Sequence, residues 1–322
     1  MSDILEVIVD GLWRQGSQSL AVRLVAQNGQ PLPAWQPGAH IDLHLPCGVI
    51  RQYSLTGPQS ADDGYLICVA LEKSSRGGSR YIHQQLRPGQ TLLISRPRNL
   101  FALQAAERVT LLAAGIGITP LYAMVLRLDA EGVPFTLHYY LKSRSQGAFV
   151  RELQRRFSTE SVVIHYSSEG DSARQHLAAA LNNTHTGHPI YLCGPEGFMA
   201  AARRTALEQG WAEMLIHSEA FQPVATPAAA PQGETFSVTL ASTGERWPVP
   251  ADKTIAQVLK ENGVAVPLSC EMGICGVCLT PVIEGVIDHR DTVQSEAEKS
   301  ASTQQIALCC SRSRSANLCI DL

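Results

Sequence analysis

The stretch Cys270-Glu271-Met272-Gly273-Ile274-Cys275-Gly276-Val277-Cys278 constrains the fold more than any other part of this sequence. Its three cysteines are spaced C-x4-C-x2-C, and the pair Cys309-Cys310 follows some thirty residues later. This is the ligand spacing of a plant-type 2Fe-2S cluster, and the two glycines let the backbone curl so that the thiolates point inward. Adjacent side chains of a strand point to opposite faces, so only one cysteine of the pair can be the fourth ligand.

Two other uses of these cysteines are weaker alternatives. Zinc sites usually pair their ligands as two CxxC-type knuckles, whereas here the first gap is four residues and no His pair lies near Cys309-Cys310. A disulfide framework is disfavoured because the chain has nine cysteines, an odd number, and is far larger than a stapled miniprotein. The cysteines at Cys47, Cys68 and Cys319 lie in apolar surroundings and are expected to be buried packing residues.

The composition is that of an ordinary globular protein. Its 322 residues with 45% hydrophobic content suggest two or three domains, each with its own core. A net charge of -3 argues against a nucleic acid or an anionic membrane as partner. The longest uncharged run, Val109 to Leu126, is broken by glycines and a proline and is expected to form a strand, a turn and a helix. The Met-Ser-Asp start has no basic segment followed by an apolar one, which predicts a cytoplasmic protein.

The local composition also indicates where the domains of the chain begin and end. Residues 223–233, Pro-Val-Ala-Thr-Pro-Ala-Ala-Ala-Pro-Gln-Gly, contain three prolines and no charge, as is typical of a semi-rigid extended linker. Near residues 103–107, short alternating strands give way to alternating strands and helices. The predicted parts are therefore a β-barrel (1–104), an α/β domain (105–222), the linker (223–233) and a cluster domain (234–322).

Short strand candidates separated by Pro, Gly and Asn turns predict a small antiparallel barrel in the first part. The candidates are Leu5–Val9, Leu20–Val25, His40–Leu45, Tyr65–Leu71 and Thr91–Ser95. The motif Arg51-Gln52-Tyr53-Ser54 can offer a cation, a ring face and a hydroxyl to one planar, phosphorylated ligand. The motif Arg76-Gly77-Gly78-Ser79-Arg80 can add backbone N–H groups for the phosphate. An edge-strand tyrosine and an exposed turn are the plainer interpretations, but the two motifs together favour a flavin site.

The second part opens with the apolar strand Val109 to Ala114, the turn Gly115-Ile116-Gly117-Ile118-Thr119-Pro120 and a helix from Pro120 to Glu131. A glycine-rich turn lets a pyrophosphate approach a helix N-terminus, where free N–H groups favour anions. The turn departs from the G-x-G-x-x-G fingerprint and is a weak signal alone. Further strands near Phe135–Leu141, Val162–Tyr166 and Pro189–Cys193, with helices between them, predict a doubly wound parallel sheet.

The turn Cys193-Gly194-Pro195-Glu196 follows the last of these strands. Ligands bind at the carboxyl edge of open α/β sheets, so this turn is expected to line the nucleotide site. Simple packing is the alternative role for a buried Cys193 that ends a strand. If its small, polarizable side chain faces a flavin, it can contact the nicotinamide ring instead.

The three parts, in this order, resemble the phthalate dioxygenase reductase family, which includes the vanillate demethylase reductases. The resemblance covers essentially the whole chain. It rests on Arg51-x-Tyr53-Ser54, Gly77-Gly78-Ser79, Gly115-x-Gly117-x-Thr119-Pro120, Cys193-Gly194-Pro195, Glu219-x-Phe221 and the cysteines. It implies a flavin barrel, a nicotinamide domain and a C-terminal β-grasp ferredoxin of the plant type.

The resemblance also implies cofactors and site residues. The flavin would be FMN, with its phosphate near Arg51 and Ser79 and with Phe221 over its ring, although Phe221 could merely pack the last strand. The fourth cluster ligand would be Cys309, beside Cys270, Cys275 and Cys278. Positioning roles in catalysis fall to Ser54, Thr119, Cys193 and Phe221. The cofactor-binding candidates are Arg51, Tyr53, Ser54, Val69, Gly77, Gly78, Ser79, Gly115, Gly117, Thr119, Pro120, Cys193, Gly194, Pro195 and Phe221.

The choice between NADH and NADPH can be argued from one loop. Related reductases that use NADPH grip its 2′-phosphate with a Ser-Arg pair after the third strand of the nucleotide domain. Here the stretch is Ser167-Ser168-Glu169-Gly170-Asp171, whose two carboxylates would repel a 2′-phosphate and suit a ribose diol. The sequence therefore predicts NADH, although Lys142 and Arg144 could approach the same place.

The expected function is that of an electron-transfer oxidoreductase for aromatic degradation. Electrons would pass from NADH as hydride to FMN, then singly through the 2Fe-2S cluster to a Rieske-type oxygenase. An acceptor of another kind, such as a cytochrome or a separate ferredoxin, is an alternative, as is a redox sensor that does not turn over. Asp288-His289-Arg290-Asp291 could shape the cluster loop or a docking face, or be a salt-bridged turn.

Overall fold

The computed structural model describes residues 4–59, 64–72, 75, 77–182, 187–221, 235–294 and 296–322. The chain forms two compact units, Met1–Phe221 and Gln222–Leu322. Arg76 and the predicted linker, residues 223–233, lie outside the described residues. The predicted boundary at residue 104 falls inside the first unit and stays a prediction.

The N-terminal part of the first unit is an antiparallel sheet. Its strands are β1 (Ile4–Gln15), β2 (Ser19–Ala26), β3 (Ala39–His44), β4 (Ile50–Thr56), β5 (Tyr65–Ala70), β6 (Thr91–Ser95) and β7 (Arg98–Asn99), and helix α1 (Gly78–Gln84) follows β5. The strand order is β4-β5-β2-β1-β6-β3-β7, and a further pairing between β3 and β4 closes the sheet. Alternate residues such as Val7 and Val9 point into one apolar core. The antiparallel barrel predicted from the sequence is confirmed.

The rest of the first unit is a parallel sheet with helices. Its strands are β8 (Val109–Ala114), β9 (Phe135–Leu141), β10 (Val162–Tyr166), β11 (Ile190–Cys193) and β12 (Ile216–Glu219), in the order β10-β9-β8-β11-β12. The helices are α2 (Ile118–Glu131), α3 (Val150–Arg156), α4 (Ala173–Asn182) and α5 (Glu196–Glu208). The strand order reverses at β8 and β11, which is where a doubly wound sheet binds its ligand. The predicted doubly wound sheet is therefore confirmed.

Helix α2 begins at Ile118 rather than at the predicted Pro120. Proline fits the first turn of a helix because the N–H groups there have no intrahelical partner. None of the helices among the described residues is both long enough and apolar enough to cross a bilayer.

Barrel and parallel sheet pack against each other within the first unit. Ala123 of α2 is buried in the barrel core, and Cys68 of β5 is buried in the core of the parallel sheet. The backbone N–H of Phe149 donates to Oε1 of Gln15 at 2.9 Å, and Nε2 of Gln15 donates to Glu152 at 2.9 Å. These contacts fix the two sheets relative to each other.

The second unit has a mixed sheet with the strand order β14-β13-β19-β15-β17. Its elements are β13 (Phe236–Leu240), β14 (Arg246–Val249), α6 (Ile255–Glu261), β15 (Leu279–Glu284), β16 (Ile287–Asp288), α7 (Glu296–Lys299), β17 (Gln305–Ala307), β18 (Arg312–Ser313) and β19 (Asn317–Ile320). A capping box of Thr254 and Gln257 starts α6, whose Ile255 and Leu259 pack on Val238 in the core. Strands β13 and β19 run parallel, while β13–β14, β15–β17 and β15–β19 are antiparallel. This is the predicted β-grasp domain, and the cysteine loop connects α6 to β15.

Candidate functional site

Two turns lie side by side at the carboxyl edge of the parallel sheet. A Cβ on Gly117 would overlap the Cys193 carbonyl and lie 2.7 Å from the Gly194 nitrogen. These neighbours are backbone atoms that cannot move aside, so the turn requires glycine at this position. Gly115 has φ +56 and nothing within 4 Å of where its Cβ would stand. The turn is therefore packed on the Cys193 side and open on the other, which leaves room for a nucleotide.

Thr119 and Pro120 are buried in the first turn of α2. The Thr119 hydroxyl donates to the Ile116 carbonyl at 3.1 Å, so it braces the turn and can still accept a hydrogen bond. A Cβ on Gly194 would lie 2.9 Å from both Ala114 and Phe198. Pro195 is the N-cap residue of α5. All four predicted residues therefore lie at the turns that frame this edge.

Glu219 is a half-buried carboxyl in this region. It pairs in register with Cys193 across β11 and β12, and the Ser54 hydroxyl of the barrel donates to its Oε2 at 3.3 Å. Burial raises the pKa of Glu219 to about 8. Burial also raises the pKa of the Cys193 thiol well above its usual value. Both groups therefore hold their protons at neutral pH.

Glu219 is not among the site residues predicted from the sequence, although the Glu219-x-Phe221 motif contains it. Its neighbour Phe221 packs against the apolar cluster that includes Cys193. The structure thus brings Ser54 and Cys193 to Glu219, a carboxyl group that the sequence pattern alone did not single out.

Arg51 and Gly78 meet on the barrel. A Cβ on Gly78 would lie 2.6 Å from Cγ of Arg51, so the glycine leaves space for the arginine stem. Arg51 and Tyr53 are two apart on β4 and share a face, whereas Ser54 is on the other face. Burial raises the pKa of Tyr53, and the Arg51 charge opposes that shift. Arg51 thus lies against the glycine motif, and the Tyr53 phenol lies on the same face of β4, an arrangement that fits a phosphorylated, planar ligand.

The glycine motif itself is shaped by local hydrogen bonds. The Ser79 hydroxyl donates to the Ser75 hydroxyl at 3.0 Å and accepts from the Glu72 N–H at 3.2 Å. Gly77 has φ +98, a conformation that favours glycine, and open space lies beyond it. Val69, another predicted cofactor-binding residue, does not belong to this motif, because its side chain lies in the barrel core.

Four cysteines of the second unit form a buried sulfur cluster: Cys270, Cys275, Cys278 and Cys309 are each no more than 6% exposed. The Cys270 thiol lies within hydrogen-bonding reach of those of Cys275 and Cys309. The Cys278 thiol reaches that of Cys309. No three His, Cys, Asp or Glu side chains of the described residues are arranged around a single metal ion. Four buried thiols in mutual contact, three of them on one loop, fit the ligand set of a 2Fe-2S cluster.

The loop around these sulfurs depends on backbone freedom. Glu271 and Gly273 have φ values of +54 and +73. A Cβ on Gly273 would lie 2.5 Å from Sγ of Cys310, so Cys310 packs against the loop while Cys309 faces the other cysteines. The Met272 N–H donates to Sγ of Cys270 at 3.3 Å, which favours a thiolate there.

The expectation that the three remaining cysteines are buried was only partly right. Cys68 is buried, but Cys47 is exposed and Cys319 is half-buried. Cys47 lies in the turn between β3 and β4, where apolar neighbours along the chain do not imply a core position.

The loop that follows β10 carries two carboxylates. Glu169 accepts two hydrogen bonds from Arg144, at 2.6 and 2.7 Å, and Asp171 contacts His165 at 2.8 Å. The Arg144 guanidinium also lies 4.5 Å from the centre of the Tyr166 ring. Arg144, Tyr166, Glu169 and Asp171 line one end of a cavity of about 500 Å³, which extends along β10 to Phe157 and Thr159. Arg144 does approach the predicted ribose site, but it pairs with Glu169.

Comparison with known proteins adds to this geometry. Residues 238–314 match the 2Fe-2S iron-sulfur cluster binding domain. The vanillate O-demethylase oxidoreductase of Pseudomonas sp. (strain HR199 / DSM 7063) is 42% identical over 320 residues, which is 99% of this chain and 100% of that protein.

Two solved structures are similar over 99% of this chain. One is phthalate dioxygenase reductase, described as a modular structure for electron transfer from pyridine nucleotides to [2Fe-2S], with a TM-score of 0.75, 32% identity and 98% of that chain covered. The other is an intact type IV self-sufficient cytochrome P450 monooxygenase, with a TM-score of 0.85 and 35% identity. This chain spans 41% of that longer protein.

Proposed function

The chain belongs to the family of the vanillate O-demethylase oxidoreductases and phthalate dioxygenase reductase, and we propose on that premise that its acceptor is a Rieske-type oxygenase of aromatic acids. The protein is an NADH-dependent flavin and iron-sulfur oxidoreductase that delivers electrons to an oxygenase. The observation that carries the proposal is similarity to an O-demethylase reductase over both complete lengths. The acceptor would be an aromatic-acid dioxygenase or an O-demethylase.

We propose FMN as the flavin. Arg51, Gly77, Gly78 and Ser79 would hold its phosphate, because the arginine and the turn N–H groups meet there. Tyr53 and Ser54 would hold the ring, and Phe221 would cover it. When bound, the flavin accepts a hydride from NADH and releases single electrons toward the cluster.

The residues around Glu219 would bind and orient the nicotinamide dinucleotide. Thr119 and Cys193 would orient the nicotinamide, with Gly115, Gly117, Pro120, Gly194 and Pro195 shaping the turns that receive the dinucleotide. The neutral Glu219 carboxyl keeps a proton beside the Ser54 hydroxyl, 3.3 Å away. The cluster ligands would be Cys270, Cys275, Cys278 and Cys309.

The preference for NADH would come from the loop after β10. Glu169 is neutralised by Arg144, so Asp171 is the carboxylate that would accept the ribose hydroxyls and repel a 2′-phosphate. The protein would work in the cytoplasm, where NADH is supplied.

An anaerobic titration of the flavin-loaded protein with NADH, and separately with NADPH, tests the proposal. Bleaching of the flavin absorbance by NADH, followed by a rhombic EPR signal of a reduced 2Fe-2S centre, is the expected result. Flavin bleaching without the EPR signal would contradict the cluster assignment. Failure of NADH to drive cytochrome c reduction would favour the redox-sensor alternative.

A cytochrome acceptor is the second candidate. It is favoured by the similarity of the whole chain to 41% of a self-sufficient cytochrome P450 monooxygenase. Reconstitution of the purified reductase with a Rieske oxygenase and with a P450, compared by NADH consumption coupled to product, separates the two candidates.

A further inference from the structure

Two buried histidines contact each other on the face of the parallel sheet that carries Leu177 of α4. His138 lies on β9 and His165 on the neighbouring β10, with exposed fractions of 8% and 6%. Nδ1 of His138 is 3.1 Å from Nε2 of His165. The Tyr140 ring stacks on His165 with centroids 4.3 Å apart and planes 10° apart. Both imidazoles are therefore locked in position by packing.

His165 of this pair also contacts a carboxylate, that of Asp171. Nδ1 of His165 lies 2.8 and 2.9 Å from the two oxygens of Asp171. A carboxylate can only accept hydrogen bonds, so Nδ1 of His165 donates to Asp171. This holds whichever histidine donates in the hydrogen bond between the two rings. Burial lowers the pKa of His138 to about 4, which keeps it neutral at pH 7. His176 of α4 lies 3.6 Å from the same carboxylate.

The other side of Asp171 faces a cavity that follows the edge strand β10, at the loop proposed to meet the ribose. Asp171 lines that cavity with Arg144, Tyr166 and Glu169, and its side chain is 39% exposed. Because Arg144 forms two hydrogen bonds with Glu169, the charge of Glu169 is balanced. Asp171 instead contacts His165 and His176, and under the proposed function it is the carboxylate that meets the ribose.

We propose that the His138–His165 pair is a positioning device that holds the Asp171 carboxylate at the proposed ribose site and thereby sets the discrimination of the protein against a 2′-phosphate. The inference rests on the proposed preference for NADH. It assigns a role to two histidines that take no part in the flavin or cluster sites. His165 acts through Asp171 and contacts no substrate.

The test is binding of 5′-AMP and of adenosine 2′,5′-bisphosphate to the full-length, flavin-loaded protein, measured by isothermal titration calorimetry. These probes differ only in the 2′-phosphate and require no turnover. Asp171→Asn should tighten the bisphosphate relative to 5′-AMP about fivefold, the effect of one unit charge at about 4 Å in water. His165→Leu should shift the ratio in the same direction, about threefold, because Asp171 loses its donor.

Two further variants make the result specific. His165→Asn places an amide N–H near the former Nδ1 and should restore the wild-type ratio. His188→Gln is the matched control, a buried histidine that contacts the Thr110 hydroxyl at 3.0 Å and takes no part in the Asp171 contact. If His165→Leu does not fold, His138→Leu removes the next group of the chain and should move the ratio likewise.

Each outcome is decisive. A shift with Asp171→Asn but not with the histidine variants would overturn the positioning role and leave Asp171 as the ribose residue. No shift with Asp171→Asn would refute the proposed basis for NADH preference itself. Equal weakening of both probes by His165→Leu would mean that the pair only stabilises the fold, and would also overturn the inference.

Discussion

The Ser54 hydroxyl donates to Oε2 of Glu219 at 3.3 Å and so connects strand β4 of the barrel to the last strand of the parallel sheet. The two residues are 165 positions apart in the chain. Glu219 is half-buried beside Cys193, and desolvation raises the pKa of its carboxyl to about 8. The contact therefore places a protonated acid where the barrel meets the turns of the nucleotide domain.

Glu219→Gln should change how stability depends on pH. The pKa of Glu219 is about 8 in the folded state, above its ordinary value of 4.5, so the unfolded state loses its proton first as pH rises. The stabilising contribution of this group is fully present below about pH 4.5 and is lost as pH rises toward 8. We expect calorimetry to show the wild type losing stability relative to Glu219→Gln between pH 5 and 8, by about 1.4 kcal/mol per pH unit at most.

The control for that measurement is Glu208→Gln, which removes an exposed carboxyl of α5. Its profile should run parallel to that of the wild type. Parallel profiles for Glu219→Gln as well would mean that Glu219 titrates normally.

Cys275→Ser should separate the two halves of the electron path. We expect the flavin to be bleached by NADH at the wild-type rate, while NADH-driven reduction of cytochrome c or of an oxygenase is abolished. The reason is that Cys275 is one of four buried sulfurs in mutual contact. Cys310→Ser is the matched control, since Cys310 packs against Gly273 and should leave the cluster intact. Persistent electron delivery in Cys275→Ser would disprove the linear order of carriers.

Gly117→Ala should damage nicotinamide binding without removing the flavin. The new Cβ would overlap the Cys193 carbonyl, so the two turns must separate. A displacement of about 1 Å can cost about 100-fold in rate, and we expect a loss of that order in stopped-flow bleaching by NADH. Gly197→Ala adds a Cβ with nothing within 4 Å and should behave as wild type. An unchanged rate in Gly117→Ala would show that the turns do not position the nucleotide.

Arg51→Ala should weaken FMN but not riboflavin. If Arg51 binds the phosphate, its loss removes a charge-assisted hydrogen bond worth about 1.5–3 kcal/mol, or roughly 10- to 100-fold in FMN affinity. Riboflavin has no phosphate, so its affinity should stay unchanged. Arg23→Ala, which removes a surface ion pair with Asp10, is the control. Equal losses for both flavins would place Arg51 at the ring or in the fold.

Much of the site followed from short-range patterns. The spacing of Cys270, Cys275 and Cys278 predicted the cluster loop, because three ligands on one short loop have their geometry set by that loop alone. The run from Val109 through the Gly115 turn predicted strand, turn and helix, because apolar continuity and glycine act locally. These features depend only on residues that are close to one another in the sequence.

The sequence by itself determined the three kinds of domain and their order, through cysteine spacing, strand alternation and glycine-rich turns. Only the tertiary structure decided that Ser54 contacts Glu219 and that His165 contacts Asp171. The physical reason is that burial and hydrogen-bond partners arise when distant strands are brought side by side. These surroundings then set the pKa of a carboxyl group and the orientation of an imidazole ring, and the adjacent residues in the sequence specify neither.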